Sequence, residues 1–266
     1  MRLFDQNIWG NMKSDQCIAN RNDLIRDLVA SYDPDVVAFQ ECNPKTSRAP
    51  ECDIAKKLLF AYDEAAPDCA DRNFTPLFYH RERVEYLDGG WQLFEGKNDK
   101  NSKSFTWALL REKKTGQCVT VLSTHFWWKW ESEEDDLQRK ANAAQLRDAC
   151  DALFAKYGVP ILVTGDLNSG VGAHQGEGAY REMCTLGMRD VRFLAEHTTN
   201  TFTHHPYPIL NENGVYADGA MPIKNLDYVF FYKKPPARMC QFDVVTSQNA
   251  LDSSDHCPLL FDFELI

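Results

Sequence analysis

The feature that most constrains this chain is a set of short apolar runs that each stop on a polar residue, with helical periodicity between them. Val36-Val37-Ala38-Phe39-Gln40-Glu41 and Ile161-Leu162-Val163-Thr164-Gly165-Asp166 read as buried strands whose last residue is acidic. Before the first, Leu24, Ile25, Leu28 and Val29 recur at helical spacing within residues 20–31, and before the second, residues 137–157 form a longer amphipathic helix ending at Gly158 and Pro160. Further strands are read at 2–9, 77–79, 83–87, 105–111, 118–125, 226–232, 242–246 and 258–265, with short helices at 53–60 and 180–187. Strands with intervening helices indicate α/β, and the hairpin-like neighbours around Thr115-Gly116 make the sheets mixed rather than wholly parallel. No repeat, low-complexity tract or linker interrupts the pattern, so 1–266 reads as one domain.

The charge balance narrows the function classes. With 29 Lys+Arg against 39 Asp+Glu the net charge is −10, which works against a non-specific nucleic-acid binder, because neutralising phosphates needs clustered cations. An enzyme whose metal ions supply the positive charge is not excluded. The longest apolar runs, such as Tyr228-Val229-Phe230-Phe231-Tyr232, fall far short of a membrane span, and Met1-Arg2-Leu3-Phe4-Asp5 carries no signal-peptide pattern. Nine scattered cysteines lack C-x-x-C spacing, which argues against a zinc ribbon or thioredoxin-type site and reads as mostly buried reduced thiols. A cytoplasmic monomer is the expectation.

The polar residues at strand ends carry the chemistry. Asn7, Glu41, His125, Asp166 with Asn168, Asp227, and Asp255 with His256 each end or follow a strand-like run, so a rigid scaffold could gather them at one rim. Singly, Glu41 reads first as an exposed acid in a turn, Asp166-Leu167-Asn168 equally as an Asx turn, and Asp255-His256 could be a surface ion pair. As a set, carboxylate and amide oxygens suit Mg²⁺, and two histidines suit proton transfer or a phosphoryl group's developing charge. Metal-assisted hydrolysis of a phosphate ester follows.

The order of these motifs resembles the endonuclease/exonuclease/phosphatase superfamily: Gln6-Asn7-Ile8, Phe39-Gln40-Glu41, Ser123-Thr124-His125, Gly165-Asp166-Leu167-Asn168, Leu226-Asp227-Tyr228 and Ser254-Asp255-His256. The resemblance implies a four-layer α/β sandwich, with two stacked mixed β-sheets flanked by helices and the active site at one edge. It also implies roles: Glu41 as principal Mg²⁺ ligand (Mn²⁺ a substitute) with Asn7 beside it, and Asp255 as a further metal-site carboxylate. Asp166 resembles the residue that orients or deprotonates the attacking water, and Asn168 the one that positions the phosphate. His256, oriented by Asp227, and His125 resemble phosphate-contacting histidines. Thr124-His125 leans away from the abasic-site nucleases of the family. Residues 78–90 resemble a bacterial subgroup that commonly has Arg where this chain has His80 and an acid where it has Asn73. An acid there would hold His125 as a cation, whereas Asn73 accepts its N–H as a neutral partner. The family's basic residue before the Asp-Tyr strand is here Asn225, with Lys224 adjacent.

Phe126-Trp127-Trp128-Lys129-Trp130 follows His125 directly. Trp128 could stack on a base, a sugar or an inositol ring, with Lys129 on a second phosphate; alternatively the rings pack under the next helix. Arg81 is a candidate phosphate contact, or a surface strand charge. The acidic run 131–136 reads as a solvated helix start, and His174, His204 and His205 as solvated loop residues rather than a dinuclear zinc site. The expected protein is a Mg²⁺-dependent phosphoesterase acting on a phosphodiester or phosphorylated small molecule. A nuclease acting on DNA or RNA is the alternative. An inactive binding module would require loss of Glu41, Asp166, Asn168 or His256, and all are retained.

Overall fold

The strands and helices of a computed structural model, which describes residues 1–10, 18–47, 49, 53–199, 202–205, 224–236 and 238–265, alternate as the apolar periodicity requires. In chain order they are β1 (Arg2–Asn7), α1 (Ile18–Tyr32), β2 (Val36–Gln40), α2 (Ile54–Leu58), β3 (Tyr62–Glu64), β4 (Leu77–His80), β5 (Val84–Leu93), β6 (Ser104–Glu112) and β7 (Cys118–His125). There follow α3 (Glu133–Tyr157), β8 (Ile161–Asp166), α4 (Gly178–Thr185), β9 (Met188–Asp190), β10 (His197–Thr198), β11 (Asp227–Tyr232), β12 (Arg238–Val244), α5 (Gln248–Ser253) and β13 (Leu259–Glu264). A seven-stranded sheet has the order β10-β12-β13-β1-β2-β4-β3, and a six-stranded sheet the order β5-β6-β7-β8-β11-β9. Both are mixed, since β1–β2 and β7–β8 are parallel while β1–β13, β6–β7 and β8–β11 are antiparallel.

Alternating strand residues enter different cores, which is why the runs are apolar without a break. Leu3, Ala38 and Phe261 of the first sheet meet Val121, Leu162 and Val229 of the second between the sheets. Phe4, Val37 and Phe39 point the other way, onto Ile25, Leu28 and Val29 of α1. Leu122, Val163 and Phe230 likewise meet Leu146, Cys150 and Leu153 of α3. Helices, sheet, sheet and helices thus make the four-layer sandwich. Each such buried side chain stabilises the fold by about 1.5–3 kcal/mol.

Helix α3 begins four residues before its apolar periodicity does. The Asp135 carboxylate accepts from the Ser132 N–H and hydroxyl, acidic residues fill the positive end of the dipole, and Gly158 in the left-handed conformation (φ 64°) ends the helix. The short elements β3, β9, β10 and α5 carry too few residues to show a period. Among the described cysteines, Cys42, Cys150 and Cys257 are buried, but Cys69, Cys118 and Cys240 are half-buried and Cys184 is exposed. The expectation of mostly buried thiols is therefore corrected: Cys118 opens a strand and Cys240 lies at the irregularity of β12, positions that the core does not cover. Cys17, Cys52 and most of the 202–223 loop lie outside the described residues. Among those described, no helix is long and apolar enough to cross a membrane.

Candidate active site

Strand register places the chemistry. His125 of β7 and Asp227 of β11 are both paired to Asp166 of β8, one on each side. Matched positions on adjacent strands share a face, so the three side chains form one row at the end of the second sheet. Gly165 lets β8 pass this close to β7: its φ is 137°, and a Cβ there would stand 2.0 Å from the Thr124 carbonyl oxygen. In the first sheet Asn7 is level with Gln40, and Glu41 follows with a left-handed backbone (φ 53°). Asn7 Nδ2 donates to Asp166 Oδ2 at 3.0 Å and to Glu41 Oε1 at 3.3 Å, joining the ends of the two sheets. Asn168, also left-handed (φ 47°), donates its N–H to Asp166 Oδ1 at 2.7 Å. The Asx turn and the candidate site are therefore the same structure.

The two histidines are held in opposite charge states. Burial works against a charged His256, yet the Asp227 carboxylate at 2.8 Å from Nδ1, with Asp166 and Asp255 beyond, raises it well above the ordinary histidine value. Nδ1 donates to Asp227, which leaves Nε2–H facing Asp166 Oδ2 at 3.9 Å. Asp227 itself accepts from the Thr203 hydroxyl at 2.6 Å. His125 is pushed well below the ordinary value by burial, then by the charge of Lys103 and of His256. Lys103 Nζ lies 2.8 Å from His125 Nε2 and 3.2 Å from Nδ1, so a ring nitrogen must accept and the imidazole is neutral. Burial raises the Asp166 carboxyl to about 7, helped by Asp227 and opposed by His256 and Lys103.

The donor set suits a hard divalent cation. Burial first, then the negative charge of Glu41, raise the Asp255 carboxyl to about 6 against the pull of His256. Asp166 and Asp227 bring carboxylate oxygens within 4.8 Å of one another, and Asp255 stands within the same span of His204 and His256, where His256, protonated on both nitrogens, acts as a donor and not as a ligand. Converging carboxylates of this kind fit a hard divalent cation, which takes oxygen ligands. In Asn7 the amide nitrogen faces the carboxylates, while its oxygen accepts from the Trp9 N–H at 3.0 Å.

These residues floor a cleft of about 740 Å³ whose rim is aromatic. Phe126 and Trp127 are buried, with the Trp127 indole donating to Asp135 at 2.8 Å, whereas Trp128 and Trp130 are 40% and 48% exposed and line the cleft. The packing reading holds for Phe126 and Trp127, while Trp128 and Trp130 face the cleft. Trp130 stacks on His174 at 5.6 Å, and Trp128 donates to Asp99 at 2.7 Å. The buried guanidinium of Arg139 donates to the carbonyls of Lys129 and Gln175, fastening the two rim loops to α3.

Glu41, His125, Asp166, Asn168, Asp255 and His256 line the cleft, with Asn7 and Asp227 directly behind. Arg81 does not reach it: its guanidinium is committed to Asp63 and to the carbonyls of Leu59 and Tyr62 at the β4–β5 turn. Lys129 lies over the rings of Trp127 and Trp128 on the rim. Asn73 does not touch His125, because its oxygen accepts from Thr75 and Thr106. His204 and His205 are not solvated: His205 is fully buried, and His204 packs edge-on against His256 at 4.8 Å, with burial and the charge of His256 pushing it down to about 2. Sequence reading missed Lys103 and Thr203.

The family model described as Endonuclease/Exonuclease/phosphatase family matches residues 6–256. The fold is similar to that of the endonuclease/exonuclease/phosphatase from Bacteroides vulgatus (TM-score 0.74, 22% identity, 100% of this chain and 98% of the other covered). It is also similar to a mannosyl-6-phosphatase from Bacteroides thetaiotaomicron (TM-score 0.72, 16% identity, 98% of each chain covered). The human Nocturnin catalytic domain with a bound sulfate anion aligns with a TM-score of 0.68, 19% identity, and 100% and 93% of the two chains covered. A sequence comparison with curated proteins found no match.

Proposed function

The chain belongs to the endonuclease/exonuclease/phosphatase family, whose members hydrolyse phosphoester bonds, and on that premise we propose that it is a Mg²⁺-dependent phosphoesterase. Its substrate is a phosphodiester or a phosphorylated small molecule. The observation that carries this reading is the row His125–Asp166–Asp227 in register, tied through Asn7 to Glu41 on the other sheet.

The residues divide the work. Asp166, with a carboxyl near 7, orients the attacking water and takes its proton. Its two oxygens are fixed by the Asn168 N–H and by Asn7, which sets the line of attack on phosphorus. As the water oxygen bonds to phosphorus, the bond to the departing alkoxide breaks and His256 Nε2–H supplies that oxygen with a proton. Asp227 keeps His256 in the tautomer and orientation this requires. The Asn168 amide nitrogen, which donates to the Phe126 carbonyl at 3.2 Å and lies 3.1 Å from His125 Nε2 on the cleft wall, would hold a phosphoryl oxygen. Glu41 and Asp255, with Asn7 beside them, would hold a Mg²⁺, which neutralises charge on the non-bridging oxygens as a Lewis acid. Trp128, with Lys129 behind it, offers a face to the substrate's organic part.

A nuclease is the second reading, supported by the exposed indoles, on which bases stack, and opposed by the net charge of −10. The deciding experiment is hydrolysis of bis-p-nitrophenyl phosphate, p-nitrophenyl phosphate, an inositol phosphate, plasmid DNA and poly(A) RNA, with Mg²⁺ or EDTA. Turnover that needs Mg²⁺ and disappears in Asp166→Ala is expected, with small esters preferred. Turnover unaffected by EDTA, or retained in the mutant, would refute the mechanism.

A further inference from the structure

Lys103 has no place in the family motifs, yet it is 3% exposed and lines the cleft with Glu41, Asp166, Asn168 and His256. Its backbone is fixed on both sides: its N–H donates to Asn98 Oδ1 at 2.9 Å, and its carbonyl accepts from Asn98 Nδ2 at 2.8 Å and from the Phe94 N–H at 3.0 Å. The side chain is therefore aimed. Both polar contacts of Nζ are ring nitrogens of His125, and among the described residues no carboxylate oxygen lies within 4.0 Å of it. An ammonium taken out of water without a carboxylate partner is costly, and an apolar side chain of similar volume would fill the space without that cost. Stability alone does not account for a lysine here.

We propose that Lys103 is the cation that receives a phosphoryl oxygen of the substrate, an inference that rests on the phosphoesterase reading above. His125 Nε2 lies 2.8 Å from Lys103 Nζ, 3.4 Å from Asp166 Oδ2 and 3.8 Å from Glu41 Oε1. A phosphoryl group positioned for attack by water at Asp166 thus comes within reach of Nζ. His125 cannot supply that charge, being neutral beside the ammonium. It acts instead as an acceptor that uses one of the three Nζ protons and leaves the others for the ligand. Positive charge then meets the phosphoryl group from two sides, the His256 imidazolium on one and Lys103 on the other.

The test is titration calorimetry of the full chain in Mg²⁺, with inorganic phosphate as probe, beside steady-state kinetics on the best ester of the panel. Lys103→Met is expected to bind phosphate about 10- to 100-fold more weakly, the loss of a charge-assisted hydrogen bond, with KM rising in step. Thermal unfolding reports whether the variant folds, and Lys103→Gln replaces it if it does not. A role limited to holding His125 upright predicts that the effect vanishes in a His125→Ala background; direct contact predicts that it persists there. Unchanged phosphate affinity in Lys103→Met, or disappearance of its effect with His125, would overturn the inference while the native enzyme still turns over. A native protein that neither binds phosphate nor hydrolyses any ester would overturn the inference together with the reading it rests on.

Discussion

Asn7 and Asp166, from different sheets, meet through a 3.0 Å hydrogen bond from the Asn7 amide nitrogen to Asp166 Oδ2. Both are buried, and each stands at the end of a strand held by apolar packing on two faces. The bond therefore fixes the Asp166 carboxylate, proposed to activate water, relative to Glu41, which the same amide contacts at 3.3 Å. Asn7→Ala is expected to lower kcat about 100-fold through misplacement of both carboxylates. Its stability cost, the loss of one hydrogen bond to a buried charged group, is about 1–3 kcal/mol. Steady-state kinetics paired with urea unfolding would check this, and a mutant with native kcat would remove Asn7 from the mechanism.

Asp227→Asn probes the His256 dyad. The substitution keeps the shape but removes the charge that holds His256 protonated, and an amide nitrogen facing Nδ1 favours a neutral imidazole, whose Nε2–H is a far weaker acid. The expected loss in kcat is about 100-fold or more, the usual contribution of a positioned acid, with KM changed far less. The alkaline limb of the pH–rate profile should move to lower pH, because His256 no longer stays protonated well above its ordinary range. An alkaline limb unchanged in Asp227→Asn would mean that another group donates the proton.

Most of this site was legible because polar residues that end apolar runs have nowhere to go but the sheet ends. Glu41, Asp166 and Asp227 show this directly, and strand register then sets them side by side. Lys103 was not legible from periodicity, since it stands in the loop before β6. Register would not have found it either: extending the Phe105–Thr124 pairing outward sets Ser104, not Lys103, opposite His125, and Lys103 reaches the ring only from the loop. Thr203 and His204 likewise gave no signal. They reach the site through isolated contacts with Asp227, Lys224 and His256 rather than through a strand. Arg81 failed for the opposite reason, because a strand-end arginine beside carbonyls and Asp63 is satisfied locally.

Stability without metal should depend on pH through Asp166. Burial holds its carboxyl at about 7 in the folded protein against 3.8 ordinarily, so between those values the folded state keeps a proton that the unfolded chain has released. Stability is then highest at or below about pH 4, falls as pH rises, and stops falling from this source above about 7. A Mg²⁺ held by Glu41 and Asp255 beside Asp166 would favour the ionised carboxyl, so stabilisation by added Mg²⁺ should grow over the same interval. Melting temperatures between pH 4.5 and 8 in EDTA should fall less steeply for Asp166→Asn than for the native chain. Parallel slopes would assign the pH dependence to other groups.

Trp127 and Trp128 are neighbours with opposite expected behaviour. Trp127 is 5% exposed, its N–H accepted by Asn142 and its indole by Asp135 under α3. Trp127→Ala should therefore destabilise by about 3–5 kcal/mol, the range for an aromatic core truncation. Trp128 is 40% exposed on the cleft, so Trp128→Ala should leave unfolding within about 0.5 kcal/mol while raising KM for ring-bearing esters. The rise should be near 10-fold if one ring stacks on it, given about 1–3 kcal/mol per stacked base. An acyclic ester such as glycerol phosphate, which has no ring to stack, should keep its KM in the same mutant. If KM rises equally for both esters, the mutation has moved the rim rather than removed a stacking face.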